Sequence, residues 1–221
     1  MIGVVIPVHN EEAALGACLE AVAASARHPG LCGEDVLVVA ALDACTDGSR
    51  AIAQRARVEI LELDARRVGA ARASGAALAV AFGARWLAFT DADTVVSPAW
   101  LASQVALDAD AVCGTVAVDD WSRLPPHVPA LFRERYRDHE GHGHVHGANF
   151  GVSATAYLAA GGFRALAVQE DVSLVQSLIR AGFKVLWSAK PRVMTSTRLH
   201  GRLKGGFATH LAGLAAQPGS A

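Results

Sequence analysis

Aromatic residues are scarce, at 6% of the chain, and there are only four cysteines. Cys18, Cys32, Cys45 and Cys113 form no CxxC pair, which argues against a disulfide scaffold or a zinc ribbon. Reduced thiols in a cytoplasmic protein are the expectation. Excess charge of either sign is missing too, since the formal net charge is −1. A nucleic-acid binder would carry a basic stripe, so that class is set aside. No uninterrupted apolar run reaches the roughly 18–20 residues that a membrane-spanning helix needs. The longest candidate, Ala70 to Phe89, is broken by Arg72 and Arg85. The first residues, Met1-Ile2-Gly3-Val4-Val5-Ile6-Pro7, have no basic n-region and no cleavage site, and read as a first strand. Peripheral membrane contact stays compatible with this composition.

What is present suits a well-buried core. Hydrophobic residues make up 52% of the 221 positions and charged residues 19%, enough for one domain over 1–221. Over the first half, strands and helices alternate. Ile2–Pro7, Val36–Ala41, Val58–Leu63 and Arg85–Thr90 read as strands. Glu11–Ser25, Thr46–Ala56 and Val68–Phe82 read as helices, the first capped by Asn10. Short apolar strands separated by helices predict an α/β fold with an open, mostly parallel sheet. The second half is less regular. Helices are expected at Pro98–Leu107, Leu131–His139, Ser153–Ala160 and Glu170–Ala181, strands at Ala111–Val118 and Lys184–Ser188, and a Gly/His-rich loop from Glu140 to Gly147.

The stretch Trp86-Leu87-Ala88-Phe89-Thr90-Asp91-Ala92-Asp93 carries the strongest signal. An apolar strand ends in two carboxylates spaced i and i+2, which share a face on an extended segment. Ligands of open α/β sheets bind at the carboxyl ends of strands. Two neighbouring carboxylates repel unless a cation offsets them, and a hard divalent metal carrying phosphate oxygens is a natural partner. An Asp-rich turn is the plainer alternative. Three further polar features fall where strands should end or a helix should begin: Pro7-Val8-His9-Asn10-Glu11-Glu12, Asp43 with Thr46-Asp47-Gly48-Ser49, and Gln169-Glu170-Asp171 after Gly161-Gly162-Phe163. Each alone is unspecific; their order and spacing together are not.

With these motifs in place, the chain resembles the family 2 glycosyltransferases of the GT-A fold, from Ile2 to about Phe207. The matching pieces are Ile6 to Glu12, Cys45 to Ser49, Gly69-Ala70-Ala71-Arg72, Thr90 to Asp93, and Glu170-Asp171. The resemblance implies a single GT-A domain, Rossmann-like, with a nucleotide-binding half at 1–95, an acceptor-binding half at 96–207 and a flexible tail at 208–221. It implies transfer of a sugar from a nucleotide diphosphate to a hydroxyl acceptor with inversion. Asp93 would ligate Mg²⁺ or Mn²⁺, which stabilises the leaving diphosphate, and Asp91 would sit beside the ribose or donor sugar. Asp171 would be the general base, with Glu170 binding the acceptor or steadying the base.

The same resemblance assigns Pro7, His9 and Glu11 to the nucleoside loop and Asp43 to the uracil edge, which favours UDP donors. The usual paired acids are replaced by Leu42-Asp43-Ala44-Cys45, leaving one acid. Arg72 is a candidate for the donor phosphates, with a salt-bridged surface arginine as the alternative. His146, Gly147 and above all Asn149 are expected in the donor-sugar and acceptor pocket. After the last strand, His200 is a candidate metal ligand, and Arg198 and Arg202 are candidates to close over the diphosphate. His142, His144 and His146 alternate, as a metal site on an extended strand would, although a polar loop explains them more simply. The acceptor is a small molecule, a glycan or a lipid-linked compound. Two other readings stay open: a non-catalytic sugar-nucleotide or metal-binding protein on this scaffold, and a sugar nucleotidyltransferase. The loop of the latter after strand one would be rich in glycine and base, unlike Pro7 to Glu12.

Overall fold

An eight-stranded mixed sheet forms the centre of the computed structural model, which describes residues 1–118, 120–164, 166, 168–197 and 207–217. The first half alternates as its apolar runs predict: β1 (Ile2–Val8), α1 (Leu15–Ala26), β2 (Val36–Asp43), α2 (Ser49–Ala56), β3 (Glu59–Leu63), α3 (Val68–Ala81) and β4 (Trp86–Phe89). The second half contains β5 (Thr94–Val96), α4 (Trp100–Val105), β6 (Ala111–Ala117), α5 (Val128–Arg135), β7 (Phe150–Ser153), α6 (Ala154–Ala159), α7 (Glu170–Arg180), β8 (Val185–Thr195) and α8 (Phe207–Ala215). The strand order is β3-β2-β1-β4-β7-β6-β8-β5. β1 pairs in parallel with both β2 and β4, whereas β7 runs antiparallel to both β4 and β6. This is the expected α/β sheet, in which the parallel half comes first in the chain and the mixed half second.

Both faces of the sheet are covered, which is why its central strands are continuous apolar runs. Along β1, Ile2, Val4, Ile6 and Val8 enter one core with Leu15, Cys18, Leu19, Val22 and Trp100, while Val5 enters the opposite core with Phe89, Phe150 and Leu174. That is the period-2 alternation of a strand. α3 lies close on the sheet because it is built of small residues. A Cβ on Gly75 would come within 2.5 Å of the Val5 side chain.

The structure corrects several sequence expectations. α1 begins at Leu15, and Asn10 does not cap it. Asn10 has a positive φ of 53°, and its side-chain oxygen accepts the backbone N–H of Thr46 at 2.7 Å. β5 and β7, of three and four residues, were too short to stand out as periodic patterns. β8 runs on through Pro191 to Thr195. The tail expected to be flexible from 208 contains α8, whose Leu211 and Leu214 are buried against Leu124, Val128 and Phe132.

Asn149, expected to face substrate, is fully buried. Its amide nitrogen donates to the carbonyls of Thr115 (2.8 Å) and Pro191, and its amide oxygen accepts Trp100 Nε1–H at 2.9 Å. It therefore ties the start of β7 to β6, β8 and α4, with both amide N–H groups committed inside the fold. A buried amide with all partners made is stabilising, and removing it strands three polar groups. Asn149→Ala is expected to lower the unfolding free energy by about 3 kcal/mol. Urea denaturation checks this; a loss below about 1 kcal/mol would mean that the tie is dispensable.

Candidate active site

The loops after β1 and β2 hold one another. Gly48 N–H donates to Glu12 Oε2 at 2.7 Å, Glu12 N–H to Asp47 Oδ2 at 2.9 Å, and Glu11 N–H to Ser49 Oγ at 2.9 Å. Asp47 Oδ1 also accepts Ser49 N–H, at the first residue of α2, at 3.0 Å. Those contacts lower the Asp47 pKa, against the opposing effect of burial. His9 Nδ1 lies 2.5 Å from the Asp43 carbonyl. Pro7 continues β1, half-buried, opposite Ala41. The residues that drew attention as a nucleoside loop are thus set in a laced turn.

Asp43 was expected to read a base edge. It is buried, and its carboxylate accepts three backbone N–H groups, from Ala65 (2.7 Å), Arg66 (2.8 Å) and Arg67 (2.9 Å). It shapes the entry to α3, with most of its acceptor capacity committed there.

Arg72 on α3 is not a surface arginine. It is 4% exposed and pairs with Asp91 Oδ1 at 2.5 Å and with Glu170 Oε1. Its Nε is buried without a hydrogen-bond partner. Asp91 comes from the end of β4 and Glu170 from the first turn of α7, so one guanidinium joins acids 79 residues apart in sequence. Burial pushes the Glu170 carboxyl above its ordinary range; Arg72 opposes this and Asp171 adds to it. The small residues around Arg72 follow from this packing. A Cβ on Gly147 would lie 2.4 Å from the guanidinium carbon, and one on Gly69 would meet the Arg164 carbonyl at 2.7 Å and Glu170 at 3.2 Å.

Asp171 is half-buried at the second position of α7, after Gln169 in a left-handed conformation (φ 61°). Its Oδ2 accepts Gly147 N–H at 2.8 Å and its Oδ1 accepts Val172 N–H at 2.8 Å. Asp93 receives the Ser196 hydroxyl on Oδ2 at 2.5 Å, beside the Thr94–Thr195 hydroxyl pair at 3.0 Å. Cys18 Sγ donates to the Asp91 carbonyl at 3.3 Å. Burial first, then Asp91 and Asp93, push that thiol up to about 12, so it stays protonated and inert.

A cavity of about 410 Å³ brings together Arg72, Asp91, His146, Gly147, Glu170 and Asp171 from the predicted set. His144 of the alternating histidines lines it too, as do Val68, Val116, Arg135, Tyr136, Thr195 and Phe207, which no local sequence signal marked. Asp93, Pro7, His9, Glu11, Asp43 and Asn149 are not among its lining residues. Arg198, His200 and Arg202 lie outside the described residues.

The histidines stack in a ladder, 5.3 Å between His142 and His144 and 5.7 Å between His144 and His146, with Tyr136 flat on His144 at 4.2 Å. His142 Nε2 faces the Cys113 carbonyl at 3.1 Å and its Nδ1 accepts His144 N–H at 2.9 Å. His144 Nε2 accepts Arg137 N–H at 3.1 Å. Those lone pairs are spent on the backbone, which works against metal chelation by the ladder. Among the described residues no group of three or more His, Cys, Asp or Glu side chains is arranged to hold a metal ion. A metal here would need oxygens from its ligand to complete its shell, as Mg²⁺ does with substrate phosphates.

A model of glycosyl transferase family 2 matches residues 3–157. The chain belongs to that family. No curated protein matches it in sequence. Among solved structures it resembles S. aureus TarS 1-349 in complex with UDP-GlcNAc, with a TM-score of 0.71 and 13% identity over 93% of this chain and 61% of that one. The mannosyltransferase PcManGT from Pyrobaculum calidifontis, in complex with GDP-Man and Mn²⁺, gives 0.67 and 18% over 90% and 58%. Glucosyl-3-phosphoglycerate synthase from Mycobacterium tuberculosis, in complex with Mn²⁺ and UDP-glucose, gives 0.61 and 17% over 98% and 76%. The fold is that of the GT-A glycosyltransferases. The chain spans 37% of a longer TarS chain. No helix among the described residues is long and apolar enough to cross a membrane.

Glu170→Ala leaves Arg72 paired with Asp91 alone and removes one buried charge-assisted bond, so it should cost about 1.5–3 kcal/mol of folding stability, read by chemical denaturation, and Gly147→Ala should destabilise by displacing Arg72. An unfolding curve for Glu170→Ala that overlays wild type would show that Arg72 does not depend on Glu170.

Proposed function

We propose that the chain moves a sugar from a nucleoside-diphosphate donor, UDP-linked in this reading, to a hydroxyl acceptor with inversion at the anomeric carbon. The observation that carries the reading is the convergence of Asp91, Glu170 and Asp171 on one cavity around Arg72. Family membership supports sugar transfer, and the bound nucleotides and nucleotide sugars of the structural neighbours support the donor class.

In this reading Asp171 accepts the proton of the acceptor hydroxyl. The hydroxyl oxygen attacks the anomeric carbon from the face opposite the diphosphate, and the bond to the diphosphate oxygen breaks with its electron pair. Inversion follows from a single in-line displacement. The N–H groups of Gly147 and Val172 fix the Asp171 carboxylate, which favours a defined direction of proton transfer. Glu170 holds Arg72 and thereby the start of α7, which is the steadying role among the two expected for it.

Asp93 supplies hard carboxylate oxygens, the donor type that suits Mg²⁺ or Mn²⁺, and Asp91 would sit beside the ribose or donor sugar. Such an ion would neutralise charge developing on the leaving diphosphate. The Mn²⁺ complexes of two neighbours are in keeping with it. Asp43 and the laced loops shape the wall beside which a nucleoside would lie.

Asp171→Asn is expected to reduce transfer by at least 1,000-fold, within the range lost with a general base and its alignment, with UDP affinity changed by less than about threefold. Isothermal titration and a donor-consumption assay separate the two; equal loss of both would make Asp171 structural. Asp93→Ala should weaken UDP binding only in the presence of Mn²⁺. UDP binding indifferent to both EDTA and this substitution would remove the metal from the scheme.

A further inference from the structure

We infer that Arg135 forms an anion subsite for the acceptor, so that the acceptor hydroxyl belongs to a molecule carrying a phosphate or carboxylate group. The inference rests on the proposed transfer reaction and names its second substrate class. Two arginines line the cavity among the described residues, and they differ in kind. Arg72 is buried and neutralised by Asp91 and Glu170. Arg135 is exposed in the last turn of α5, and among the described residues it makes no ion pair and no side-chain hydrogen bond. The nearby acid Asp138 is taken by Arg192.

The wall between Arg135 and the base is continuous. Tyr136 follows Arg135 and lies on the His144 ring. The Tyr136 hydroxyl accepts Val116 N–H at 2.8 Å and lies 3.0 Å from His146 Nε2. Gly147 then donates its N–H to Asp171. An acceptor whose hydroxyl reaches Asp171 therefore lies along a stacked wall ending at an uncompensated guanidinium. Asp93, where the diphosphate would be held, is not on that wall. A guanidinium pairs with phosphate or carboxylate through two parallel N–H donors, and such charge-assisted pairs are stronger than neutral ones.

The test uses glycerol, glycerate and glycerol 3-phosphate as probes, with binding read by saturation-transfer NMR and, for UDP, by titration calorimetry. Wild type should bind glycerate or glycerol 3-phosphate at least tenfold more tightly than glycerol, and the ratio of the two anions tells carboxylate from phosphate. Arg135→Gln should remove about tenfold or more of that preference, leaving UDP affinity within twofold. Arg133→Gln, on the same helix but outside the cavity lining, should change nothing. Equal binding of all three probes, or an anion preference that survives Arg135→Gln, overturns the subsite. So does an Arg135→Gln protein that loses UDP rather than the glycerol anions, since Arg135 would then belong to the diphosphate. If wild type binds no UDP yet shows the Arg135-dependent anion preference, the anion subsite stands and the nucleotide-donor reading falls.

Discussion

The Arg72 guanidinium, buried between Asp91 and Glu170, is the constraint on which the site depends. Taking a charged guanidinium out of water costs several kcal/mol, and Arg cannot escape by losing its proton. The two carboxylates offset that cost only while β4, α3 and the start of α7 keep their relative positions. The ion pairs are therefore a positional device more than a source of stability. They fix the acid at the end of β4 and the acid at the head of α7 from one point. Asp171 follows Glu170 directly, so its placement is inherited.

The rest of the site is fitted around that charge. The chain passes Arg72 at Gly147, where a side chain would strike the guanidinium. The same glycine turns its N–H to Asp171. The histidine ladder before it and Asn149 after it anchor the segment at both ends, the first through stacking and backbone hydrogen bonds, the second by tying three strands. A short stretch of chain is thus pinned between a rigid sheet and a buried ion.

The fold was largely legible because its parallel strands are unbroken apolar runs, and Asp91 and Asp171 were legible because acids at strand ends and helix starts are exposed to a simple argument. What was not legible is long-range. Asn149 looks like a ligand-facing amide until β6 and β8 bring the carbonyls of Thr115 and Pro191 to it, from 34 and 42 residues away. Asn10 looks like a helix cap, yet its side chain serves a loop more than 30 residues later. Asp43 looks like a recognition acid and is occupied by three N–H groups some 22–24 residues on. Arg135 carried no local mark at all, because a cation on a charged helix is ordinary until a cavity forms beside it.

β4 is bonded to β1 on one side and to β7 on the other, in parallel to the first and antiparallel to the second. Both halves of the molecule are therefore indexed to the same four residues, Trp86–Phe89. Loops beyond β7 can lengthen, shorten or change composition without disturbing the register of that seam. The short strand is in this way the fixed joint between the parallel half of the sheet and the mixed half.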